Sequence, residues 1–203
     1  MILTKQEIIK MFNLKKEDIL LIDQYIFQLK KTNNFFNLVG RSTLTNPWER
    51  HICDSLQLSE FIKNKKSRIL DMGSGAGIPG IPLSIIGYEN IVMVEAKNKK
   101  ANFIKEVIFS LKLKAKVINT RLEELNKKPT EFIVCRALAP LVKLINYSLL
   151  FADKNTTLVF LKGKSANKEL VEAKEEFKFE YKLFKSKTNK EGLVVKITNF
   201  KKK

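Results

Sequence analysis

The sequence has few of the residues that build disulfide frameworks and metal centres. It contains two cysteines, one histidine and one tryptophan in 203 residues. Cys53 and Cys135 are too few for a disulfide framework and lack the spacing of metal ligands. We therefore expect reduced thiols and no metal site.

Long apolar stretches are also missing. No run approaches the roughly 18 apolar residues that a membrane-spanning helix needs. The first residues, MILTKQEIIKMF, lack the basic-then-apolar order of a signal peptide. These absences predict a cytoplasmic protein without a membrane partner, and the length favours one domain with a small N-terminal extension.

Acidic residues are scarce relative to basic ones. There are 21 Asp and Glu residues against 38 Lys and Arg residues, so the net charge is +17. Such a charge attracts polyanions, because each phosphate that a basic side chain neutralises releases counterions. Nucleic acid is the leading partner class, although a codon bias towards lysine would explain the same composition. Residues 162–203, with 13 lysines and six glutamates, are where we expect phosphates to bind.

Local signals predict a helical region over residues 4–64. Thr4 and Glu7 form a capping-box pattern, and Asn46-Pro47-Trp48-Glu49 places a cap residue, a first-turn proline and an acid in order. The stretch TNNFFNLVGRSTL interrupts the helical pattern between them. We therefore predict an N-terminal helical extension over residues 1–66, packed on a core formed by residues 67–203.

Short β-rich runs alternate with helical runs from residue 67 onwards, which is typical of an α/β fold with a parallel sheet covered on both faces. The predicted strands are SRILDM, NIVMVEA, AKVINT, FIVCRA and TLVFLKG. FEYKLFKS and GLVVKITNF, joined by a turn that contains Gly192, predict a terminal antiparallel hairpin. The final KKK is expected to be a frayed tail.

The stretch RILDMGSGAGIPGIPL places a glycine-rich turn between the first strand and its helix. A cofactor can approach the backbone closely at such a turn. Gly75, Gly77 and Gly80 match the dinucleotide fingerprint, and Glu95 ends the second strand 20 residues after Gly75, where a ribose-binding acid belongs. An NAD-dependent oxidoreductase is therefore one candidate.

Asp71 favours a different cofactor. Its carboxylate would lie beside a dinucleotide's pyrophosphate, where like charges repel. S-adenosylmethionine has no phosphate, and its ammonium and sulfonium groups would be attracted to Asp71. Glu95 would accept hydrogen bonds from the ribose hydroxyls of either cofactor. The loop NTRLEEL follows the third strand, which makes the Leu122 backbone and the Glu123 carboxylate candidates for contacting adenine.

Five blocks, in order, resemble the family of bacterial ribosomal RNA small subunit methyltransferase G, also called glucose-inhibited division protein B. They are NLVG, RHICDSL, ILDMGSGAGIPGIPL, FIVCRALAPL and LKG, and they cover residues 34–163. The resemblance implies a class I methyltransferase with a Rossmann-like sheet. It also implies S-adenosylmethionine as cofactor and methylation of one guanine N7 in the decoding-region loop of 16S rRNA, naked or within the small subunit. We expect a monomer.

By position, the family's cofactor contacts fall on Gly73, Ile78, Leu122, Glu123 and Arg136. The sequence departs from the family at three points. Glu95 stands where Asp is common, Ile78 replaces a more usual Phe or Leu, and Cys135 replaces a common Ser. The first two changes keep the chemical role, and the third implies that this side chain is not required.

The RHICDSL segment carries polar residues on an inward face. Projected at 100° per residue, residues 47–63 have one outward side that holds Glu49, Gln57, Glu60 and Lys63. The apolar side includes His51 and Ser55, with Arg50 and Asp54 at its edge. An Arg50–Asp54 pair and a hydrogen-bonded core histidine would explain this without a site. With the resemblance, we expect the segment and Asn37 to line the methyl-transfer cleft.

Guanine N7 has a lone pair and no proton, so its methylation requires positioning of the base and no general base. Asp54 or Asn37 is predicted to bind the Watson–Crick edge of an unstacked guanine, and Arg136 and Lys162 to bind O6 or a phosphate. Cys135 is disfavoured as a nucleophile because a thiol within an apolar strand is inert. Predicted substrate-positioning residues are Asn37, Arg50, His51, Asp54, Ser55, Arg136 and Lys162.

Three alternatives remain open from the sequence. A methyltransferase of the same fold could act on a small molecule or a protein, and would turn over without RNA. An oxidoreductase is disfavoured by Asp71 and by the lack of a second substrate domain. An RNA-binding module with a vestigial cofactor pocket would bind RNA in a salt-sensitive way without transferring a methyl group.

Overall fold

A single seven-stranded sheet organises the chain, for which the computed structural model describes residues 2–203. The strand order is β3-β2-β1-β4-β5-β7-β6; β1 to β5 are parallel, and β7 is antiparallel to both β5 and β6. This confirms the predicted fold class. The strands are β1 (Ile69–Met72), β2 (Ile91–Val94), β3 (Ala115–Ile118), β4 (Phe132–Arg136), β5 (Thr157–Lys162), β6 (Phe177–Lys185) and β7 (Leu193–Lys202).

Helices lie on both faces of the sheet. One core is formed with α1, α2, α4 and α5, and the other with α6 and α7. Because the strand order reverses between β1 and β4, the carboxyl ends of these two strands frame the crevice in which open α/β sheets bind ligands. The helices are α1 (Lys5–Phe12), α2 (Lys16–Asn33), α3 (Asp54–Leu56), α4 (Gly80–Ile85), α5 (Asn98–Ser110), α6 (Leu141–Ser148) and α7 (Ala166–Glu176).

The N-terminal helices pack directly on the sheet layer. Ile8, Ile22 and Leu29 are fully buried in the same cluster as Ile81 of α4. The predicted capping box of Thr4 and Glu7 is present at the start of α1. Since the N-terminal helices and the sheet share one core, the division at residue 66 stays a prediction. None of the helices in residues 2–203 is both long and apolar enough to cross a bilayer.

Residues 47–63 do not form the regular α-helix that the projection assumed. A π-helix spans Trp48–Cys53, α3 follows, and a 3₁₀ turn covers Gln57–Glu60. The wider turn shifts the phase of the side chains, so Glu49 and Gln57, predicted to face solvent, are 7% and 1% exposed. Glu49 accepts a hydrogen bond from the Leu3 amide at 2.9 Å. Turns of this kind occur frequently at functional sites.

The C-terminal lysines are also placed differently from the prediction. Strand β7 continues to Lys202, which is paired with Phe177, and the Lys203 amide donates to Glu176 O at 3.0 Å. The expected frayed tail is therefore wrong, because the hairpin extends its ladder to the end of the chain.

The connection from β3 to β4 contains only a 3₁₀ turn, Leu122–Glu124. Because no long helix connects these two strands, a groove of about 770 Å³ lies open on the sheet, lined by residues near the amino ends of β1, β2 and β3. None of the predicted site residues lines this groove. The predicted chemistry lies at the other end of the sheet.

Candidate functional site

A cavity of about 740 Å³, here called the larger cavity, opens at the carboxyl ends of β1, β2 and β4. Residues 38–40 of the NLVG block close one side. Asp71 and Gly77, which were predicted cofactor contacts, are not part of its wall. The predicted cofactor residues that line it are Gly73, Gly75, Ile78, Glu95, Leu122, Glu123 and Arg136.

The glycine loop leaves its backbone open to this cavity. Gly75 has φ +59°, and a Cβ added there would have no heavy atom within 4 Å. At Gly73, with φ +67°, an added Cβ would lie 2.5 Å from Leu138 Cδ1. These left-handed conformations favour glycine. The loop therefore forms a cradle that a bound group can approach closely.

Glu95 fixes one side of the cradle. Its Oε2 accepts a hydrogen bond from the Gly75 amide at 2.8 Å, and its Oε1 accepts one from the Lys97 amide at 2.7 Å. Each carboxylate oxygen can accept a second bond. Glu95 is thus oriented by the backbone and keeps acceptor capacity for two hydroxyl groups. Farther along the wall, Glu123 accepts from the Tyr147 hydroxyl at 2.9 Å.

Asp71 lies beneath the loop and not on the cavity wall. It is 0% exposed, its Oδ2 accepts from the Gly80 amide at 2.9 Å, and its Oδ1 has no hydrogen-bond partner among residues 2–203. Burial raises the pKa of this carboxyl to about 7. Asp71 was predicted to attract the cationic groups of the cofactor, and this stays a prediction for a carboxylate that lies beneath the loop backbone.

The position of Asp71 also bears on the dinucleotide alternative. In dinucleotide-binding folds the pyrophosphate lies at the start of the helix that follows the glycine loop. Here the Asp71 carboxylate accepts a hydrogen bond from the amide of Gly80, the first residue of α4. An acid at this place disfavours an NAD-dependent oxidoreductase.

A second cavity of about 340 Å³, the smaller cavity, adjoins the larger one. The two share Thr43, His51, Arg136 and Ala137 in their walls. The predicted substrate residues that line the smaller cavity are Arg50, His51, Asp54, Arg136 and Lys162.

Two predicted substrate residues lie elsewhere. The Ser55 hydroxyl is buried and donates to His51 O at 2.6 Å, so its hydrogen is used within its own helical segment. Asn37 is exposed and lines a shallow depression that adjoins the larger cavity and shares Leu38, Val39, Gly40 and Lys100 with it. The non-helical connection that contains Asn37 brings Leu38 and Val39 to the larger cavity, but not Asn37 itself.

Arg136 joins the two cavities through a hydrogen-bond network. Its Nη1 donates to Arg50 O at 2.7 Å and to Asp54 Oδ2 at 3.1 Å, while its Nη2 lies 3.1 Å from His51 Nδ1. A guanidinium only donates, so Nδ1 accepts and the histidine proton is assigned to Nε2, 2.9 Å from Thr43 Oγ1. His51 therefore has both ring nitrogens engaged.

His51 is neutral at physiological pH. Burial, followed by the charges of Arg136 and Arg50, lowers the pKa of its imidazole to about 3. With its two hydrogen bonds, this is the satisfied core histidine that the sequence allowed as the alternative to a site residue. It still forms part of both cavity walls.

Asp54 pairs with Arg136, and the Arg50–Asp54 pair suggested by the sequence does not form. Its Oδ1 accepts from Gln57 Nε2 at 3.0 Å and from Thr188 Oγ1 at 2.8 Å. Both Arg136 and Asp54 are largely buried, with 21% and 17% of their side chains exposed. The carboxylate thus connects the helical segment, the end of β4 and the β6–β7 turn.

Lys162 closes the far side of the smaller cavity. Its Nζ lies 2.5 Å from Glu169 Oε2 and 2.9 Å from Ala139 O. Glu169 also accepts from the Ser165 hydroxyl and the Leu141 amide. Since an ammonium has three donors, Lys162 has one left for a substrate atom.

Cys135 lies within β4 and takes no part in this network. It is 1% exposed, and burial raises the pKa of its thiol to about 12. A thiol that stays protonated is a poor nucleophile.

Comparison with known proteins places the sequence in a family. It matches the family described as rRNA small subunit methyltransferase G over residues 18–194. The chain belongs to this family. A curated member from Orientia tsutsugamushi (strain Ikeda), named ribosomal RNA small subunit methyltransferase G, is 37% identical over 186 residues, which cover 92% of this chain and 93% of that protein.

A second curated member of the methyltransferase G family, from Rickettsia prowazekii (strain Madrid E), is 38% identical over 179 residues, with 87% of this chain and 93% of that protein covered. Among solved structures, a TehB-like SAM-dependent methyltransferase from Corynebacterium glutamicum has a TM-score of 0.57 at 17% identity, covering 71% of this chain and 86% of that one. This likeness confirms the class I methyltransferase fold.

Sequence reasoning missed several residues of the site in this methyltransferase G family member. Ala137, with φ +54°, is the last residue of the predicted strand FIVCRA and Leu138 follows it, so position alone could have indicated them. Thr43 and Thr188 had no such signal, because their partners His51 and Asp54 are known only from the folded chain. Thr188 is 134 residues away from Asp54.

Proposed function

We propose that this chain is an S-adenosylmethionine-dependent methyltransferase that methylates N7 of one guanine in the decoding-region loop of 16S rRNA. Family membership supports an rRNA methyltransferase, and two adjoining cavities offer places for a cofactor and a base. One observation carries the choice of N7. The groups around the smaller cavity that could act as bases, His51, Asp54 and Glu169, already have hydrogen-bond or ion-pair partners.

The residues around the larger cavity fit S-adenosylmethionine. Asp71 is a fully buried acid beneath the glycine loop, with one oxygen that has no partner in the described part of the chain, and such a group is stabilised by a nearby cation. Glu95 would bind the ribose hydroxyls, while Leu122 and Glu123 would contact the adenine. When bound, S-adenosylmethionine supplies a methyl group activated by its positively charged sulfur.

The chemistry of the smaller cavity fits a nucleophile that carries no proton. His51 is neutral with both nitrogens hydrogen-bonded, Asp54 is paired with Arg136, and Glu169 is paired with Lys162. His51 has no free ring nitrogen, and both carboxylates are held in ion pairs, so none of the three is an uncommitted base at the reacting atom. Guanine N7 requires none, whereas an exocyclic amine or a hydroxyl would have to lose a proton.

Asp54 and the two basic residues supply the contacts that would orient a guanine. Asp54 Oδ2 accepts one hydrogen bond, from Arg136, and retains capacity for a second. Guanine presents the N1 and N2 hydrogens as donors, whereas adenine presents an acceptor at N1. Arg136 and Lys162 would face O6 or a flanking phosphate. The base must leave its stack to reach these groups.

The direct test is transfer of labelled methyl from S-adenosylmethionine into small ribosomal subunits from cells that lack the endogenous enzyme, followed by mapping of the modified base. Label at one guanine N7 in the decoding region is expected. Naked 16S rRNA assayed in parallel identifies the form of the substrate. Label at another atom, or no label despite measurable cofactor binding, would overturn the assignment to guanine N7.

Asp71→Asn is expected to make the free protein more stable above about pH 7 and to weaken its binding of S-adenosylmethionine about tenfold. The folded pKa of Asp71 is raised from 3.8 to about 7. Its contribution to stability therefore declines as the pH rises from about 4 to about 7, and the cost of the buried charge is complete above that range. Asparagine removes this charge and also the attraction for a cation.

Thermal unfolding across this pH range and calorimetric titration of the cofactor measure the two effects. Glu17→Gln, which neutralises an exposed acid on α2, serves as the control. Equal stability of Asp71→Asn and the native protein at about pH 8, together with unchanged cofactor affinity, would contradict the role given to Asp71.

A further inference from the structure

The turn between β6 and β7, residues 186–192, forms one wall of the smaller cavity. Ser186, Thr188, Asn189 and Gly192 all line it. The turn reaches this place because β7 runs antiparallel to β5 and pairs Leu193 with Lys162. The end of the terminal hairpin is thereby brought to the sheet edge at which the parallel strands end.

The turn is attached to the segment that carries Asp54. Thr188 Oγ1 donates to Asp54 Oδ1 at 2.8 Å, and the Lys187 amide donates to Gln57 Oε1 at 3.1 Å. Lys187 Nζ also lies 3.0 Å from Glu60 Oε1. These contacts join residues that are more than a hundred positions apart, so the wall has a defined position relative to Arg136.

The Thr188 hydroxyl occupies an acceptor position on one oxygen of the Asp54 carboxylate. Oδ1 accepts two hydrogen bonds, from Thr188 and Gln57, which fill its acceptor capacity. Oδ2 accepts only the bond from Arg136. With Oδ1 occupied, the acceptor position that Asp54 can offer to a bound molecule is on Oδ2, beside the guanidinium.

We propose that the smaller cavity binds the unstacked purine of the RNA substrate, that the β6–β7 turn is its outer wall, and that Thr188 is a positioning residue which orients Asp54 towards the donor edge of the base. This inference rests on the proposed function. A carboxylate oxygen beside an arginine matches guanine, which presents two adjacent donors, N1–H and N2–H, beside the acceptor O6, whereas adenine has an acceptor at N1 that would face the carboxylate. Thr188 therefore contributes to the choice of base without contacting it.

Thr188→Val tests this role, because it removes the hydroxyl and keeps the shape of the side chain. We expect its kcat/KM for small subunits to fall about tenfold, while the Kd for S-adenosylmethionine changes by less than about twofold. The preference for subunits with guanine over subunits with adenine at the target position should narrow. Thr188→Ser restores the hydroxyl and is expected to recover most of the rate and the preference.

Thr198→Val is the matched control, since it makes the same chemical change in β7 at a half-buried position outside the cavity. An unchanged rate and base preference in Thr188→Val would overturn the role of Thr188. Equal losses in Thr188→Val and Thr188→Ser, accompanied by a lower melting temperature, would indicate only a structural role and also overturn it. Failure of the native protein to methylate any subunit would instead overturn the proposed function on which the inference rests.

Discussion

Replacing Arg136 with alanine is expected to reduce methyl transfer to small subunits about a hundredfold, since it removes preorganised donors from the place where the two cavities meet. The substitution leaves Asp54 without its cationic partner and His51 Nδ1 without its hydrogen-bond donor, and both Asp54 and His51 are largely buried. A buried carboxylate without its partner is costly, so we also expect a loss of about 2–3 kcal/mol in the free energy of unfolding.

Arg136→Lys separates charge from geometry. An ammonium keeps the positive charge, but it does not reproduce the planar fork that reaches Arg50 O, Asp54 Oδ2 and His51 Nδ1 together. We therefore expect Arg136→Lys to retain most of the stability and less than about a tenth of the methyl-transfer rate.

The measurements are initial rates of methyl incorporation, denaturant unfolding and cofactor titration. Arg68→Lys is the control, because Arg68 is 62% exposed at the opposite end of the sheet, where it faces Glu131. Methyl transfer by Arg136→Lys at the native rate would show that charge alone is required at this position and that the hydrogen-bond network is not.

Glu95→Ala is expected to raise the Kd for S-adenosylmethionine about a hundredfold, which corresponds to a loss of about 3 kcal/mol. Two effects act together. The carboxylate that would accept the ribose hydroxyls is lost, and the amides of Gly75 and Lys97 lose the acceptor that holds the loop. The rate with RNA at saturating cofactor should fall much less than the affinity for the cofactor.

Glu95→Asp keeps the carboxylate on a side chain that is one methylene shorter, so a loss of about tenfold or less in affinity is expected. Glu124→Ala is the matched control, since Glu124 lies outside the larger cavity and bonds to Thr120 at 3.1 Å. Calorimetric titration and thermal unfolding distinguish weakened binding from loss of fold. An affinity of Glu95→Ala close to that of the native protein would remove Glu95 from the cofactor site.

Several parts of the structure could be predicted because they depend on short stretches of chain. The runs that became β1, β2, β4 and β5 are apolar because both faces of a parallel sheet are covered there, and this pattern is visible without neighbours. Glycine is favoured where the backbone adopts a left-handed conformation and must stay accessible to a ligand, as at Gly75. The acid at the end of β2 could be placed by counting from the glycine loop.

Other parts depended on contacts between distant segments. A regular periodicity of 100° was assumed for residues 47–63, but the π-helix rotates the side chains that follow and buries Gln57. Asp54 was paired with Arg50 on the basis of their spacing, whereas the fold brings Arg136 and Thr188 to its two oxygens. Spacing placed Asp71 at the end of the first strand, whereas the hydrogen bond that its carboxylate accepts from the Gly80 amide follows from the packing of α4.

The sequence by itself thus determined the order of strands and helices, the glycine cradle, Glu95 beside it, the basic character and the family resemblance. Each of these follows from residue type and spacing within a few turns of chain, where propensity and covalent connection dominate. Only the tertiary structure decided which polar groups share the smaller cavity, that His51 is neutral, and that the turn with Thr188 forms a wall. Those properties arise from burial and from hydrogen bonds between residues far apart in sequence, and neither can be predicted from the spacing of residues along the chain.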